Sequence, residues 1–202
     1  MPKAEFFSRL GLFVAKGFID PAMCESLRFG MRSGIHIAAT VVGESFQETV
    51  NESVRNTKQA KISPCSASQI ASRLSAVKPM LENHFNVNLG GCEKPQFLIY
   101  REGNFFLPHQ DGDDNPGKPE YIKKRKLSAV IFLNNDAQET ESESYRGGEL
   151  TFYGLIDDPR CKQYGFPLVS EVGLLVAFRS ETFHEVTPVT RGERYTIVSW
   201  FF

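Results

Sequence analysis

The residues with the clearest chemical potential are two of the four histidines and one aspartate. His109 and Asp111 stand in the stretch PHQDG, at the i, i+2 spacing that puts both side chains on one face of a strand. An imidazole and a carboxylate placed in this way can hold one metal ion between them. Because such pairs are frequent by chance, the pair predicts a metal site only together with a further ligand.

The further ligand is predicted to be His184, in the stretch HEVTPV. Two histidines and one carboxylate on one side of a metal leave three coordination positions open, which is the facial triad of non-haem Fe(II) oxygenases. Zinc more often has closed tetrahedral ligation or a hydrolytic water. The sequence therefore predicts iron bound by His109, Asp111 and His184, whereas His36 and His84 are expected to be packing or surface residues.

Arg194 is predicted to face the same site. We expect residues 182–190 and 194–202 to form a hairpin with a three-residue loop. Thr190 then lies opposite Arg194, and because Thr190 shares the parity of His184, Arg194 points to the metal side. A two-residue loop would reverse this face. An inward arginine needs an anion, which a dicarboxylate cosubstrate on the iron would supply. The same parity directs Thr196, Val198 and Trp200 inward and Tyr195, Ile197 and Ser199 outward.

The second half of the chain must supply the strands that position these residues. Six β-rich runs alternate with turns there, at a spacing typical of an all-β sandwich or barrel. Two long polar segments, residues 112–126 and 134–147, are interpreted as solvated loops. The alternative is that they form mobile lids beside the site. The predicted strands are residues 96–101, 127–133, 149–153, 174–178, 182–189 and 195–202.

The first half of the chain is predicted to mix helices with a strand. Residues 11–19 form a plausible short strand, and Asp20 caps a helix that begins at Pro21 and ends near residue 33. Apolar residues recur at threes and fours over residues 66–84 and predict a second helix. Residues 41–59 are polar and aperiodic, so we expect a surface loop there.

Composition argues against several classes of function. The 202 residues include 23 Lys+Arg and 24 Asp+Glu, a net charge of −1, which disfavours nucleic acid as the main partner. No run approaches the roughly 20 apolar residues of a membrane span, and no convincing signal peptide is present. The four cysteines lack C-x-x-C spacing and are interpreted as free thiols in a reducing compartment, so we expect a cytoplasmic protein.

Five motifs follow one another in the second half: YREGN at 100–104, HQD at 109–111, GGELTF at 147–152, HEVTPV at 184–189 and RYTIVSW at 194–200. In this order and spacing they resemble the Fe(II)/2-oxoglutarate-dependent dioxygenases, specifically the prolyl 4-hydroxylase-like branch. The resemblance covers about residues 96–202. It implies a mainly β (α+β) fold, a double-stranded β-helix or jelly-roll core with supporting helices from the N-terminal half. We expect one domain over 1–202, in which residues 1–93 supply the strand and supporting helices and residues 94–202 the core with the site.

The resemblance also implies roles for single residues. His109, Asp111 and His184 would bind iron, and Arg194 would pair with the distal carboxylate of 2-oxoglutarate, which a guanidinium fork suits. Tyr100 would hydrogen-bond this cosubstrate. Trp200 would line the pocket. O₂ is the second expected cosubstrate, and ascorbate is a further candidate cofactor.

The expected activity is hydroxylation of a C–H bond with release of succinate and CO₂. A prolyl residue in a protein or peptide is the favoured substrate, and a small molecule such as a free amino acid is the alternative. The alternative outside the enzymes is a non-catalytic, cupin-like binding module. No nucleic acid or membrane partner is expected. The triad and Arg194 are common to both enzyme readings, so the sequence leaves the substrate open, as it does the oligomeric state.

Overall fold

A computed structural model describes residues 4–42, 47–136, 143–161 and 163–202. Short strands dominate it, and the two long helices lie in the first half of the chain. The elements are α1 (Ala4–Arg9), β1 (Phe13–Ala15), α2 (Pro21–Ser33), β2 (His36–Ala38), β3 (Val41–Val42), β4 (Glu48–Thr49), β5 (Arg55–Asn56), β6 (Lys58–Ala60), α3 (Pro64–Phe85), β7 (Gln96–Tyr100), β8 (Phe105–His109), α4 (Glu120–Lys123), β9 (Leu127–Phe132), β10 (Arg146–Gly147), β11 (Leu150–Phe152), β12 (Phe166–Leu168), β13 (Leu175–Arg179), β14 (His184–Val186), β15 (Val189–Arg191) and β16 (Arg194–Phe201).

Two antiparallel sheets form the body of the fold. The larger has the strand order β1-β13-β9-β16-β7-β6-β2, and the smaller has the order β12-β11-β14-β8-β5. Their inner faces pack together: Val176 and Phe178 of the larger sheet share one apolar cluster with Leu150 and Phe152 of the smaller. Strands β7, β9, β13 and β16 interleave in this way with β8, β11, β12 and β14, which is the predicted jelly-roll arrangement.

The two long helices, α2 and α3, cover the outer face of the larger sheet. Asp20 Oδ1 accepts a hydrogen bond from Met23 N at 2.9 Å and caps α2, as predicted. Ser63 caps α3 in the same way, so this helix begins at Pro64, slightly before the predicted start. Its apolar stripe packs on the sheet, and each fully buried aliphatic side chain there contributes about 1.5–3 kcal/mol. The buried stripe of α3 consists of Ile70, Leu74, Val77, Leu81 and Phe85.

Several local predictions are wrong. The described part of residues 41–59 is not one loop, because it contains β3, β4, β5 and the first two residues of β6. Strands this short and polar carry no alternating pattern that could announce them. The predicted strand over residues 11–19 shrinks to Phe13–Ala15, and α1, β8 and β12 were not predicted. The other predicted strands are confirmed within a few residues, except that residues 182–189 are divided between β14 and the start of β15.

The predicted hairpin is also wrong. β14 pairs with β8 and β11 in the smaller sheet, and β15 pairs with β10. β16 lies in the larger sheet between β7 and β9. The chain therefore crosses from one sheet to the other between residues 184 and 194, instead of folding back within one ladder. All four cysteines are free thiols, as predicted, and within the described ranges no helix is long and apolar enough to span a membrane.

Candidate active site

Two strand ends of the smaller sheet bring the predicted metal ligands together. His109 is the last residue of β8 and His184 the first of β14, and the two are direct partners across the antiparallel ladder. Asp111 follows two residues after His109. Its backbone N–H and that of Gly112 donate to the Ser180 carbonyl at 3.0 and 2.9 Å. This pair of hydrogen bonds holds the aspartate beside the two histidines.

The three side chains converge on one point. Asp111 Oδ1 lies 3.6 Å from His109 Nε2, and Asp111 Oδ2 lies 3.5 Å from His184 Nε2. The three ligand atoms are all within 4.8 Å of one another. Two imidazoles and one carboxylate on one side of a small space are the donor set that suits Fe(II) with open positions. The remaining histidines lie elsewhere: His36 Nε2 contacts the Met31 carbonyl, and His84 packs against aromatic rings.

Backbone carbonyls fix the tautomer of both histidines. His109 Nδ1 lies 2.8 Å from the Leu107 carbonyl, and His184 Nδ1 lies 2.9 Å from the Thr182 carbonyl. Because a carbonyl oxygen can only accept, each Nδ1 carries the proton and donates it. The lone pairs are then on the Nε2 atoms, which are the atoms that face Asp111. This arrangement orients metal-binding imidazoles in proteins.

The protonation states also suit a cation. Burial, together with the neighbouring His109, lowers the pKa of His184 to about 4. Burial alone would raise the pKa of Asp111, but His184, His109 and a hydrogen bond from Trp200 outweigh it and hold this pKa well below its usual range. At neutral pH the site therefore presents a neutral His184 and an ionised Asp111.

Gly112 is required by close packing. A Cβ atom at this position would lie 2.7 Å from Ser180 Cβ and 2.8 Å from the Arg125 carbonyl oxygen. Any side chain would push Asp111 away from the two histidines. The glycine after the His-x-Asp pair thus permits a close backbone approach.

Behind the three ligands lies a buried arginine. Arg194 is 1% exposed, and its guanidinium carbon lies 5.0 Å from the ring centre of Tyr100 and 5.2 Å from that of Phe132. Its Nη1 donates to Thr196 Oγ1 at 3.3 Å, while its Nε has no hydrogen-bond partner among the described residues. A buried cation in such surroundings is costly unless it meets an anion. This end of the pocket therefore fits the distal carboxylate of a dicarboxylic acid.

Arg194 points toward the site, but for a different reason than the sequence suggested. It lies opposite Tyr100 of β7, not opposite Thr190. Along β16, alternate residues face the smaller sheet, which carries both histidines. The inward residues Thr196, Val198 and Trp200 line the same pocket as Arg194 and His184. Tyr195, Ile197 and Ser199 point outward as predicted, but each is at most 1% exposed in the layer that the helices cover.

The family model of the 2OG-Fe(II) oxygenase superfamily matches residues 95–202. The chain belongs to this superfamily. The match coincides with the part of the chain that carries the three ligands and Arg194, and it confirms the family resemblance of the five motifs.

Relatives with similar sequences are named as PKHD-type hydroxylases. One from Pseudomonas putida is 36% identical over 109 residues, which are 52% of this chain and 42% of the relative. One from Alteromonas mediterranea is 27% identical over 164 residues, which are 78% of this chain and 65% of the relative. The chain thus spans less than two thirds of the length of either relative.

Solved structures share the fold of this oxygenase along nearly its whole length. A Pseudomonas putida prolyl-4-hydroxylase superposes with a TM-score of 0.71 at 22% identity, over 98% of this chain and 97% of that one. A Trichoplax adhaerens prolyl hydroxylase, solved with a peptide fragment of the hypoxia inducible factor oxygen degradation domain, gives 0.69 at 20% identity, over 98% and 86%. These likenesses confirm the predicted fold class.

The outer wall of the oxygenase pocket is built around Trp200. This residue is 6% exposed and hydrogen-bonds the Asp111 carboxylate. The Arg125 guanidinium lies 3.8 Å above its indole ring. Arg125 also pairs with both carboxylate oxygens of Glu93, at 2.6 and 2.8 Å. The polar segment over residues 112–126, which ends in the basic run 123–126, is therefore not simply a solvated loop, because Arg125 is part of the wall.

A groove leads from this wall to solvent. Tyr121 of α4 donates to Glu48 of β4 at 2.7 Å and joins the two sides of the groove. Arg55 lies deeper, is 8% exposed, and has its guanidinium carbon 4.8 Å from the Phe106 ring centre. Phe106 in turn stacks on His109 at 3.5 Å. Sequence reasoning missed Arg55 and Phe106, because both lie on strands that it did not predict.

The acidic segment over residues 134–147 is only partly described. Its residues 137–142, with Glu139 and Glu141, lie outside the described residues. Glu143 accepts hydrogen bonds from Arg28 at 3.1 Å and Arg32 at 2.7 Å, and these arginines, Arg32 above all, lower its pKa. Glu143 thus ties this segment to α2, whereas Arg146 and Gly147 pair with β15.

Proposed function

We propose that the chain is an Fe(II)- and 2-oxoglutarate-dependent dioxygenase that hydroxylates a C–H bond and releases succinate and CO₂. One observation carries the proposal: an open set of three metal ligands shares a pocket with the buried Arg194, which meets no carboxylate of the described residues at ion-pair distance. Membership of the oxygenase superfamily supports it.

In this proposal the iron is held by His109 Nε2, His184 Nε2 and the Asp111 carboxylate. When bound, the iron with its cosubstrates supplies the oxidising chemistry, and the protein binds, orients and excludes water. Each Nδ1–H keeps its hydrogen bond to the backbone carbonyl, so the histidines would bind the metal without rotating. Apolar pocket residues such as Leu98 and Val186 would help to exclude water from this pocket.

Arg194 is proposed to bind the distal carboxylate of 2-oxoglutarate. Its Nε has an unused hydrogen, and a guanidinium presents two parallel donors that match a carboxylate. Tyr100 packs beneath the guanidinium, and we propose that its hydroxyl donates to the same cosubstrate. Trp200 closes the opposite side of the pocket, and its N–H restrains Asp111. Ascorbate enters the proposal only as a reductant added to the assay.

The proposed substrate is a prolyl residue in a protein or peptide. The groove supports this choice, because its lining includes the predicted iron ligands His109 and Asp111 together with residues of β4 and α4. The likeness to two prolyl hydroxylase structures, one with a bound peptide fragment, supports it further.

Arg55 favours a second candidate, a small carboxylic acid such as a free amino acid. Its Nε is unpartnered within the described ranges and could pair with a free carboxylate.

The experiment that separates these candidates is mass spectrometry of reaction mixtures. The purified protein is incubated with Fe(II), 2-oxoglutarate and ascorbate in air, once with a host lysate and once with free amino acids. A protein prolyl hydroxylase should add one oxygen atom to proline in peptides from the lysate and leave free proline unchanged. Hydroxylated free amino acids without any hydroxylated protein would overturn the peptide proposal. If 2-oxoglutarate were consumed in neither mixture, the dioxygenase proposal itself would be overturned.

A further inference from the structure

Few polar contacts fix the side chain of Arg194, which otherwise packs on the rings of Tyr100 and Phe132. Its side chain has two polar neighbours among the described residues, Thr196 Oγ1 at 3.3 Å and the hydroxyl of Tyr145. No carboxylate of the described residues lies at ion-pair distance to fix the guanidinium before an anion arrives. The chain just before and just after Arg194 must therefore be held firmly for the side chain to be in place.

The regular ladder with β9 ends at this point, whereas the pairing of β16 with β7 continues to Arg194 and Tyr100. β16 pairs with β9 up to the partners Thr196 and Phe132, and Leu133 N still donates to the Tyr195 carbonyl at 3.0 Å. In a regular antiparallel ladder, Tyr195 N would donate in return to the Leu133 carbonyl. That carbonyl instead accepts from Arg28 Nη1 at 2.5 Å. The N–H that follows Arg194 thus needs another acceptor.

The side chain of Asn134 supplies this acceptor. Its Oδ1 accepts from Tyr195 N at 3.0 Å, and its Nδ2 donates to the Glu193 carbonyl at 2.8 Å. The second hydrogen of Nδ2 is donated to the Glu143 carbonyl at 2.9 Å. Asn134 is 3% exposed, so these hydrogen bonds have no competition from solvent. The amide therefore replaces a backbone rung and holds the peptide groups on both sides of Arg194.

We propose that Asn134 is a positioning residue that preorganises Arg194 for 2-oxoglutarate. The inference rests on the proposed function, in which Arg194 binds this cosubstrate. Asparagine is suited because it offers one acceptor and two donors at this length. An aspartate would keep the acceptor but lose both donors and set a negative charge against two carbonyl oxygens. A loosened Arg194 has to be ordered again on binding, which weakens affinity.

The test measures binding of 2-oxoglutarate by calorimetry to the Mn(II)-loaded protein without O₂. Asn134→Asp and Asn134→Ala are compared with Asn135→Asp, a matched control in which the neighbouring amide contacts Val172 N at 2.7 Å. Both Asn134 variants should weaken 2-oxoglutarate binding about tenfold or more, as expected when buried donors and acceptors lose their partners. Mn(II) binding and the affinity of Asn135→Asp should change by less than about threefold.

A double variant distinguishes positioning from general damage. If Asn134 acts through Arg194, adding Asn134→Ala to Arg194→Ala should cause no further loss of 2-oxoglutarate affinity. Unchanged affinity in both single variants, an equal loss in Asn135→Asp, an additive loss in the double variant, or unfolding of every Asn134 variant at the assay temperature would each overturn the inference. Absence of binding by the unsubstituted protein would instead refute the proposed function, so the two failures are distinguishable.

Discussion

Three arginines, Arg55, Arg125 and Arg194, lie around the pocket and its groove. Arg125 and Arg194 differ in what surrounds their charge. Arg125, at the outer wall, pairs with both oxygens of Glu93 and lies on the indole of Trp200. Arg194, at the inner end, also lies on aromatic rings, but no carboxylate of the described residues reaches it. A buried cation without an anion is tolerated where binding supplies one. The comparison indicates that the outer arginine is structural and the inner one binds a ligand.

Both arginines serve an iron site only if the three predicted ligands hold the metal. Loss of a ligand should therefore have the largest effect on activity. Replacing His109, Asp111 or His184 by alanine should lower both bound iron and succinate release more than about 100-fold, since losing a partner of a metal ligand alone costs 10- to 100-fold. Metal analysis and a succinate assay measure this. His36→Ala serves as the control, because the imidazole of this residue contacts the Met31 carbonyl and lies away from the three ligands. A triad variant with unchanged turnover would show that the residue is no ligand.

The next effect concerns the inner arginine. Arg194→Ala should raise the KM for 2-oxoglutarate by about two orders of magnitude, because breaking a buried charge pair costs about 3–5 kcal/mol and each 1.4 kcal/mol is tenfold. Arg194→Lys should restore part of the affinity, since lysine keeps the charge but loses the fork. Steady-state kinetics with varied 2-oxoglutarate measure both.

Arg191→Ala is the matched control for this prediction. Arg191 ends β15, and its backbone lies opposite that of Arg146 in a different sheet from Arg194. Its removal should therefore change the KM for 2-oxoglutarate little. If Arg191 proved essential and Arg194 dispensable, the assignment of the anion site to β16 would be refuted.

The smallest effect is expected at the outer arginine. Arg125→Ala should leave the KM for 2-oxoglutarate within about threefold but lower the free energy of unfolding by about 1–2 kcal/mol, because Glu93 loses a bidentate partner. Urea denaturation measures the stability. A rise in the KM for 2-oxoglutarate as large as that of Arg194→Ala would remove the distinction between the two arginines.

The elements that the sequence predicts well are those with local signals. The cap and proline at Asp20 and Pro21 predict the start of α2, and the apolar stripe predicts α3. The i, i+2 spacing of His109 and Asp111 places them correctly, although Asp111 lies beyond the strand and depends on Ser180 of another segment. Side-chain alternation is local, so parity within β16 is predicted correctly.

The features that the sequence does not predict depend on distant partners. The identity of the strands beside β16 is set by the two-sheet topology, which no local pattern encodes. Arg55 and Arg125 occur in polar stretches whose composition is typical of surface loops. Only the aromatic rings of Phe106 and Trp200, brought from other strands, show that these two cations line the pocket.

Alternation along β16 also constrains how this chain can diverge. Arg194, Thr196, Val198 and Trp200 serve the pocket, and the intervening Tyr195, Ile197 and Phe201 serve the layer beneath the helices. Insertion or deletion of one residue near the start of the strand would exchange the two sets and lose pocket and core together. In descendants of this sequence, β16 should therefore change by substitution at constant length, whereas length variation should accumulate in connections such as residues 113–119.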